Sequence, residues 1–374
     1  VSFPASRDTN FGANVEVKGA FLNMVQDAIA WNSGRVPFRS NTLARDMEGE
    51  GSIDYEPEFG AFVATTVSDG LLWTFDGLET WTSSVALPGT PGGTAPNFYR
   101  AKAGAGYVLL SHGTASGSAS RLWRSTNGGG SWSAVTLPSD YGFSASTVRP
   151  APWRVSYATW IMELDFSGHY ARSTNGGVTW VSGGTLPTPS GGGFYSGIKQ
   201  LARSPFSSTV VLTTGTSAVL VSLNDGQSFT EVILPGTGNA IASLGWTPRL
   251  GFFVAGTKSG APCLYSSADG FVWTDAMGAI NGKHGAAWGG FKYVTSCGHL
   301  LFGVLPQTSP SATKLFWSLA GVGAPWYPLV SLGLADPYQI PEVWPVFNGA
   351  THQRQMPFAL HQTAPSSSNL GIFR

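Results

Sequence analysis

Carboxylates stand beside aromatic and small polar residues in short segments that interrupt the apolar pattern around them. Asp140 lies in LPSDYGFSAS, Glu163 and Asp165 in TWIMELDFSGH, and Asp336 in GLADPYQIPE. Two carboxyl groups that face one another can cleave a glycosidic bond, one as acid and the other as nucleophile or base. The separation is about 5–5.5 Å for retention of configuration and roughly 6.5–9.5 Å for inversion. Asp140, Glu163 and Asp336 are the candidates for such a pair if the chain is an enzyme. Tyr141, Trp160, Tyr195 and Tyr338, with Asp165, are the candidates to bind a ligand. A sugar stacks its C–H face on a ring and bonds its hydroxyls to an acid, and the same aromatics suit a protein partner.

Other chemistries find less support. His112, His284, His299 and His361 show no metal-ligand spacing, so no metal site is expected. GTASGSAS and the glycine runs neither open a helix nor end in Gly-Lys-Ser/Thr, which argues against phosphate binding, and no cofactor is expected. Cys263 and Cys297 are too few for a disulfide framework and read as small buried side chains. Lys+Arg and Asp+Glu balance at 21 each, and charged residues make up only 11% of the chain. Nucleic acid needs a basic field that releases counterions, so a nucleic-acid partner is not expected. No apolar run reaches the roughly 18 residues of a membrane helix. The first residue is Val1, which fits removal of an initiator Met or of a longer leader.

The elements that position these residues are legible as a repeat. RSTNGGGSW at 124–132 returns as RSTNGGVTW at 172–180. Aligned on the last aromatic, the series is TFDGLETW, STNGGGSW, STNGGVTW, SLNDGQSF and SSADGFVW, with a degenerate sixth copy, SLAGVGAPW, ending at Trp326. The closing residues Trp81, Trp132, Trp180, Phe229 and Trp273 recur roughly every 49 positions, room for four short strands. Runs rich in β-branched and aromatic residues precede and follow each box, so the box reads as a turn between the third and fourth strands. Asp76, Asn127, Asn175 and Asn224 would accept backbone N–H groups of their own turns, and glycine at the fourth or fifth position would supply positive φ. In the fifth copy Ala268 takes the acidic position with Asp269 beside it, which predicts a weaker turn. The closing aromatic should pack between sheets.

This pattern resembles Ser-x-Asp-x-Gly-x-Thr-Trp, the signature of the Asp-box, or BNR, repeat β-propellers. The resemblance spans residues 74–326 and implies an all-β fold. The chain stops at SSSNLGIFR, where a further box would begin. Three strands within 341–374 and one from RVPFRSNTL at 35–43 would then share a seventh blade, closing a seven-bladed propeller with its two termini. Two domains follow: an arm at 1–34, with an amphipathic helix outside the ring in GAFLNMVQDAIAWNSG, and one propeller over 35–374.

Alternating strand direction puts the boxes and the first-to-second-strand turns on one face, and the remaining loops on the other. The resemblance implies that ligands bind this loop face. Sialidases of this family use three arginines, a Tyr–Glu pair and an aspartate. Arg149, Arg154, Arg203 and Arg249 fall on the box side instead, Arg45 is the one clear loop-face arginine, and Arg35 matches the family's Arg-Ile-Pro segment only in outline. A second pattern, two aspartates as in the xyloglucan-type hydrolases, would use the carboxylates above. The reading is therefore a non-enzymatic propeller, structural or adhesive. Its loop face binds glycan or protein, its arm joins a larger assembly, and it is displayed on a virion-like particle such as a phage tail or secreted. The alternative is a glycoside hydrolase. A third reading is an assembly chaperone like the photosystem factors of the family.

Overall fold

Among its described residues the computed structural model places 28 β-strands, from Arg39–Leu43 to Ser368–Ile372. Besides the strands it describes residues 98–113, 121–138, 151–188, 197–247, 252–257 and 264–276, except 105, 157, 166, 205 and 237–239. The arm at 1–34, with its expected helix, lies outside the described residues, as do Asp76, Trp81 and residues 319–326 of the sixth box.

The described strands associate into seven four-stranded antiparallel sheets. Six are each made of four consecutive strands, within 53–83, 98–135, 153–185, 200–233, 241–275 and 293–331. The seventh takes Glu342–Pro345, Phe358–Thr363 and Ser368–Ile372 and adds Arg39–Leu43, which runs antiparallel to Ser368–Ile372 with Arg39 opposite Ile372. Arg39–Leu43 thus occupies the place that the fourth strand holds in the other six sheets. First strands of successive sheets lie side by side in chain order, from Ile53–Glu56 to Glu342–Pro345.

Middle strands carry the core because they are covered on both faces. Val210–Thr213 and Ala218–Ser222 are buried along their whole length, whereas the outer strand Val181–Thr185 is largely exposed. A strand covered on both faces reads as a continuous apolar run rather than an alternation. In the third sheet, Trp160, Met162 and Leu164 pack against Tyr107, Leu109 and Leu122 of the second. Ile161, between them in sequence, points the other way and joins Ile198, Val210, Leu212 and Leu220 on the fourth-sheet side. Period-2 alternation along one strand therefore serves two interfaces.

The box turns fix how successive sheets meet. In the second sheet, the Ser125 hydroxyl donates to Asn127 Oδ1 and accepts the N–H of Gly129, and Asn127 Oδ1 also accepts the N–H of Ser131. Ser173, Asn175, Gly177 and Thr179 repeat this network in the third sheet, and Ser222, Asn224, Gly226 and Ser228 in the fourth. The fifth turn corrects the sequence expectation. Asp269, not Ala268, fills the acidic position, with Ser267 as its serine, and its carboxylate accepts the N–H groups of Phe271 and Val272. Those donors, that of Val272 foremost, hold the Asp269 carboxyl below its usual range. This turn is one residue shorter than the others, so alignment on Trp273 displaces its serine and acid by one.

The described turns of the third, fourth and fifth sheets lean on the preceding sheet. Gly176 and Gly177, both at positive φ, lie against Tyr107 and Leu109, and Gly226 lies against Ile161. The repeated arginine reaches forward to the same place: Arg124 Nε donates to the carbonyl of Gly176 at 2.8 Å, and Arg172 Nε to that of Asp225 at 3.1 Å. The closing aromatics fill the same junctions. Trp180 is buried among Leu109, Leu122 and Trp160, and Trp273 among Val211, Val219 and Leu244. Phe229 meets Tyr170 edge-on, and Trp132 packs against Val63, Ala101 and Val108. Arg172→Ala is expected to lower unfolding free energy by about 2 kcal/mol, the usual scale for losing a hydrogen bond from a charged donor. Urea unfolding of the two proteins measures it, and coincident curves would show that the forward contact carries no energy.

Candidate functional site

The two faces separate as the strand directions require. Box turns bond to the first-to-second-strand turn of their own sheet: Gly176 N–H to the Ala158 carbonyl, and Asp225 N–H to that of Ser208. Segments that link one sheet to the next gather at the other ends of the strands, where Lys199 N–H bonds to the Thr213 carbonyl and Ile241 N–H to that of Thr216.

Glu163 closes the strand Trp160–Glu163 on this second face, at the junction of the third and fourth sheets. Its residue is only 2% exposed. Oε2 accepts the N–H of Ile198 at 2.7 Å, and Oε1 is buried with no hydrogen-bond partner among the described residues. Burial pushes the carboxyl up to about 7, against the pull of the Ile198 N–H; Asp165 raises it further and Lys199 opposes. Such a group is neutral in acid and half-ionised near neutrality. That suits proton transfer in principle, but a side chain this enclosed offers no open path to a polymer chain.

Asp165 lies two residues on, in the turn that leads to His169–Ser173. Its Oδ1 accepts the N–H groups of Ser167 and His169, and its Oδ2 lies 2.5 Å from His169 Nδ1. Both carboxylate oxygens are thus committed to one turn, which explains why an acid follows the strand here. Trp160 departs from its expected surface role. It has no solvent exposure, its Nε1 donates to the Tyr107 hydroxyl at 2.5 Å, and the two rings meet edge-on. The reason is register: Trp160 is first in a strand buried on both faces, so an aromatic near acids in sequence belongs to the core in space.

Asp140, Tyr141, Tyr195, Asp336 and Tyr338 lie outside the described residues, as do Arg35, Arg45, Arg149 and Arg249. The two described box-side arginines serve the scaffold. Arg203 pairs with the Asp225 carboxylate at 3.0 Å, and Arg154 donates to the Ala103 carbonyl. Sequence reading missed the forward contacts of Arg124 and Arg172, whose acceptors sit in the next sheet; the only signal was the arginine that opens both copies of the nonapeptide. It also missed that, among the described residues, most exposed large apolar side chains lie on the box side. Val178, Leu223 and Val272 are exposed on three consecutive turns, and Phe206, in the first-to-second-strand turn of the fourth sheet, is 77% exposed and meets Trp246 edge-on.

No protein-family model matches this chain, and no curated protein matches it in sequence. Solved structures do match it in shape. YCF48 from Cyanidioschyzon merolae superposes with a TM-score of 0.60 at 13% identity, over 90% of this chain and 98% of that one. A structure described as YCF48 bound to D1 peptide is similar at 0.59 and 13%, over 90% and 95%. The GH74 xyloglucanase from Xanthomonas campestris gives 0.52 at 17%, over 79% of this chain and 47% of that one. Saccharomyces cerevisiae Sqt1 gives 0.51 at 10%, over 90% and 97%. The fold is that of a β-propeller.

Proposed function

We propose that the chain is a non-enzymatic Asp-box propeller, a binding module that engages a protein or glycan through its loop face. One observation carries the reading. Each candidate acid that is described is already committed to the scaffold, since Glu163 is enclosed and holds Ile198, and Asp165 holds its own turn and His169. A propeller neighbour with a bound peptide supports a protein partner by analogy of fold, and the xyloglucanase keeps a hydrolase as the rival. In this reading residues 35–374 form one closed ring of seven blades, and residues 1–34 attach it to a larger assembly. Display outside a cell or on a virion-like particle fits the low charge and the separate arm.

The test is a glycan panel scored both for retention of ligand and for hydrolysis. Retention without turnover is expected, weakened at least tenfold by alanine at Tyr141, Tyr195 or Tyr338. Hydrolysis abolished by Asp140→Asn or Asp336→Asn would establish the rival instead. If no glycan is retained, the protein branch of the proposal stands and the glycan branch falls.

A further inference from the structure

Glu163 stands where alternation calls for an apolar side chain. Trp160, Met162 and Leu164 face the second sheet, so Ile161 and Glu163 face the fourth, and Ile161 does so inside an apolar cluster with Ile198, Leu212 and Leu220. The carboxyl is thus set between two sheets with one donor, the Ile198 N–H, and one oxygen without a partner among the described residues. Gly197, at φ +90°, brings the backbone beside it: a Cβ there would lie 3.5 Å from Oε2. A buried charge with one hydrogen bond is far costlier than a buried neutral acid with the same bond.

We propose that Glu163 is a proton-operated latch between the third and fourth sheets. Neutral, it rests in the junction and holds residues 197–199 through Ile198; ionised, it accepts that N–H more strongly, but the larger cost of a buried charge draws the carboxylate toward water, and the hold is lost when it moves.

The surrounding charges leave this role to Glu163. Asp165 disfavours its ionised form and Lys199 favours it. On the neighbouring strand His169 is paired with Asp165, Tyr170 donates its hydroxyl to the Gln227 carbonyl, and Arg172 donates to that of Asp225. From the fourth sheet Arg203 is paired with Asp225. The sign follows from linkage. A carboxyl whose folded-state value lies above its unfolded one stabilises the fold fully below the unfolded value. That stabilisation is lost as pH rises through the folded value. The window runs from about pH 4.5 to about 7. Residues 197–199 follow Tyr195 in sequence, so a pH effect on ligand binding would follow if the loop-face reading holds; the latch itself does not depend on it.

The experiment compares urea unfolding of the full chain with that of Glu163→Gln, which keeps an acceptor for Ile198 and cannot ionise, between pH 5 and pH 8. The expected result is a folding equilibrium constant that falls at least tenfold more in the parent protein than in the variant. The Ile198 amide should also exchange faster at high pH in the parent alone, after correction for intrinsic exchange. Parallel profiles, or a parent that gains on the variant as pH rises, would overturn the latch. Should Glu163→Gln fail to fold, carbon-detected NMR of the parent decides. A glutamate carboxyl titrating above pH 6 supports the latch, and all of them titrating near the ordinary value of about 4.3 overturns it. Neither result depends on a ligand, so failure of the latch and failure of glycan or protein binding are read separately.

Discussion

Gly177→Ala is expected to cost about 4 kcal/mol of stability, from two effects at one atom. Gly177 sits at φ +78°, a region that costs an L-residue roughly 1–2 kcal/mol. A Cβ there would also stand 2.6 Å from Cδ2 and 2.9 Å from Cδ1 of Leu109. Leu109 is fully buried among Leu122, Trp160 and Trp180, so it has nowhere to turn, and overpacking of this kind adds roughly 1–3 kcal/mol. Gly184→Ala is the control. Its φ is +98°, but nothing lies within 4 Å of the added carbon, so only the conformational cost remains. Chemical denaturation of both variants separates the two effects. Equal losses would mean that the turn does not press on the sheet behind it.

Deleting residues 368–374 is expected to abolish the cooperative thermal transition. Ser368–Ile372 is bonded on both sides, to Phe358–Thr363 and to Arg39–Leu43, so its loss strands two edges at once. Open edges recruit other chains, and the truncated protein should elute as large species on size exclusion. Deleting residues 373–374 alone spares the paired strand and should leave the transition in place. A sharp, unshifted transition after the longer deletion would argue against a ring closed by its termini.

Where identical residues recur, the sequence was a good guide. Ser, Asn and Gly at fixed offsets in 125–131 and 173–179 make networks that the structure repeats bond for bond. The fifth turn slipped because its anchor, Trp273, follows a turn one residue shorter, and only the bonds of Ser267 and Asp269 reveal the true alignment. Trp160 misled because an aromatic next to Glu163 and Asp165 looks like a sugar platform. The neighbouring run WIMEL, buried throughout, was the better clue. The forward reach of Arg124 and Arg172 had no local signature, since a side chain that bonds a carbonyl about fifty positions away is set by how sheets stack. Of the candidate site, the commitment of Asp165 to a turn and of Glu163 to an inter-sheet contact depends on coordinates.

The forward lean of each turn gives the stack a direction. A sheet offers its successor a floor of leucine, isoleucine or valine and, twice, a guanidinium; it receives the same from the sheet before. At the fourth-to-fifth step the arginine is replaced by Val221, against which Gly270 rests directly. Neighbours are therefore not interchangeable. A copied or transplanted unit fits if its floor and its turn both match the new surroundings, so the arginine-bearing units 124–132 and 172–180 can follow one another. A unit with valine at that place demands a successor whose turn needs no cation. Damage spreads both ways but differently: a disordered sheet takes the floor from the turn after it, and from the sheet before it takes the covering aromatic and the acceptor of its arginine.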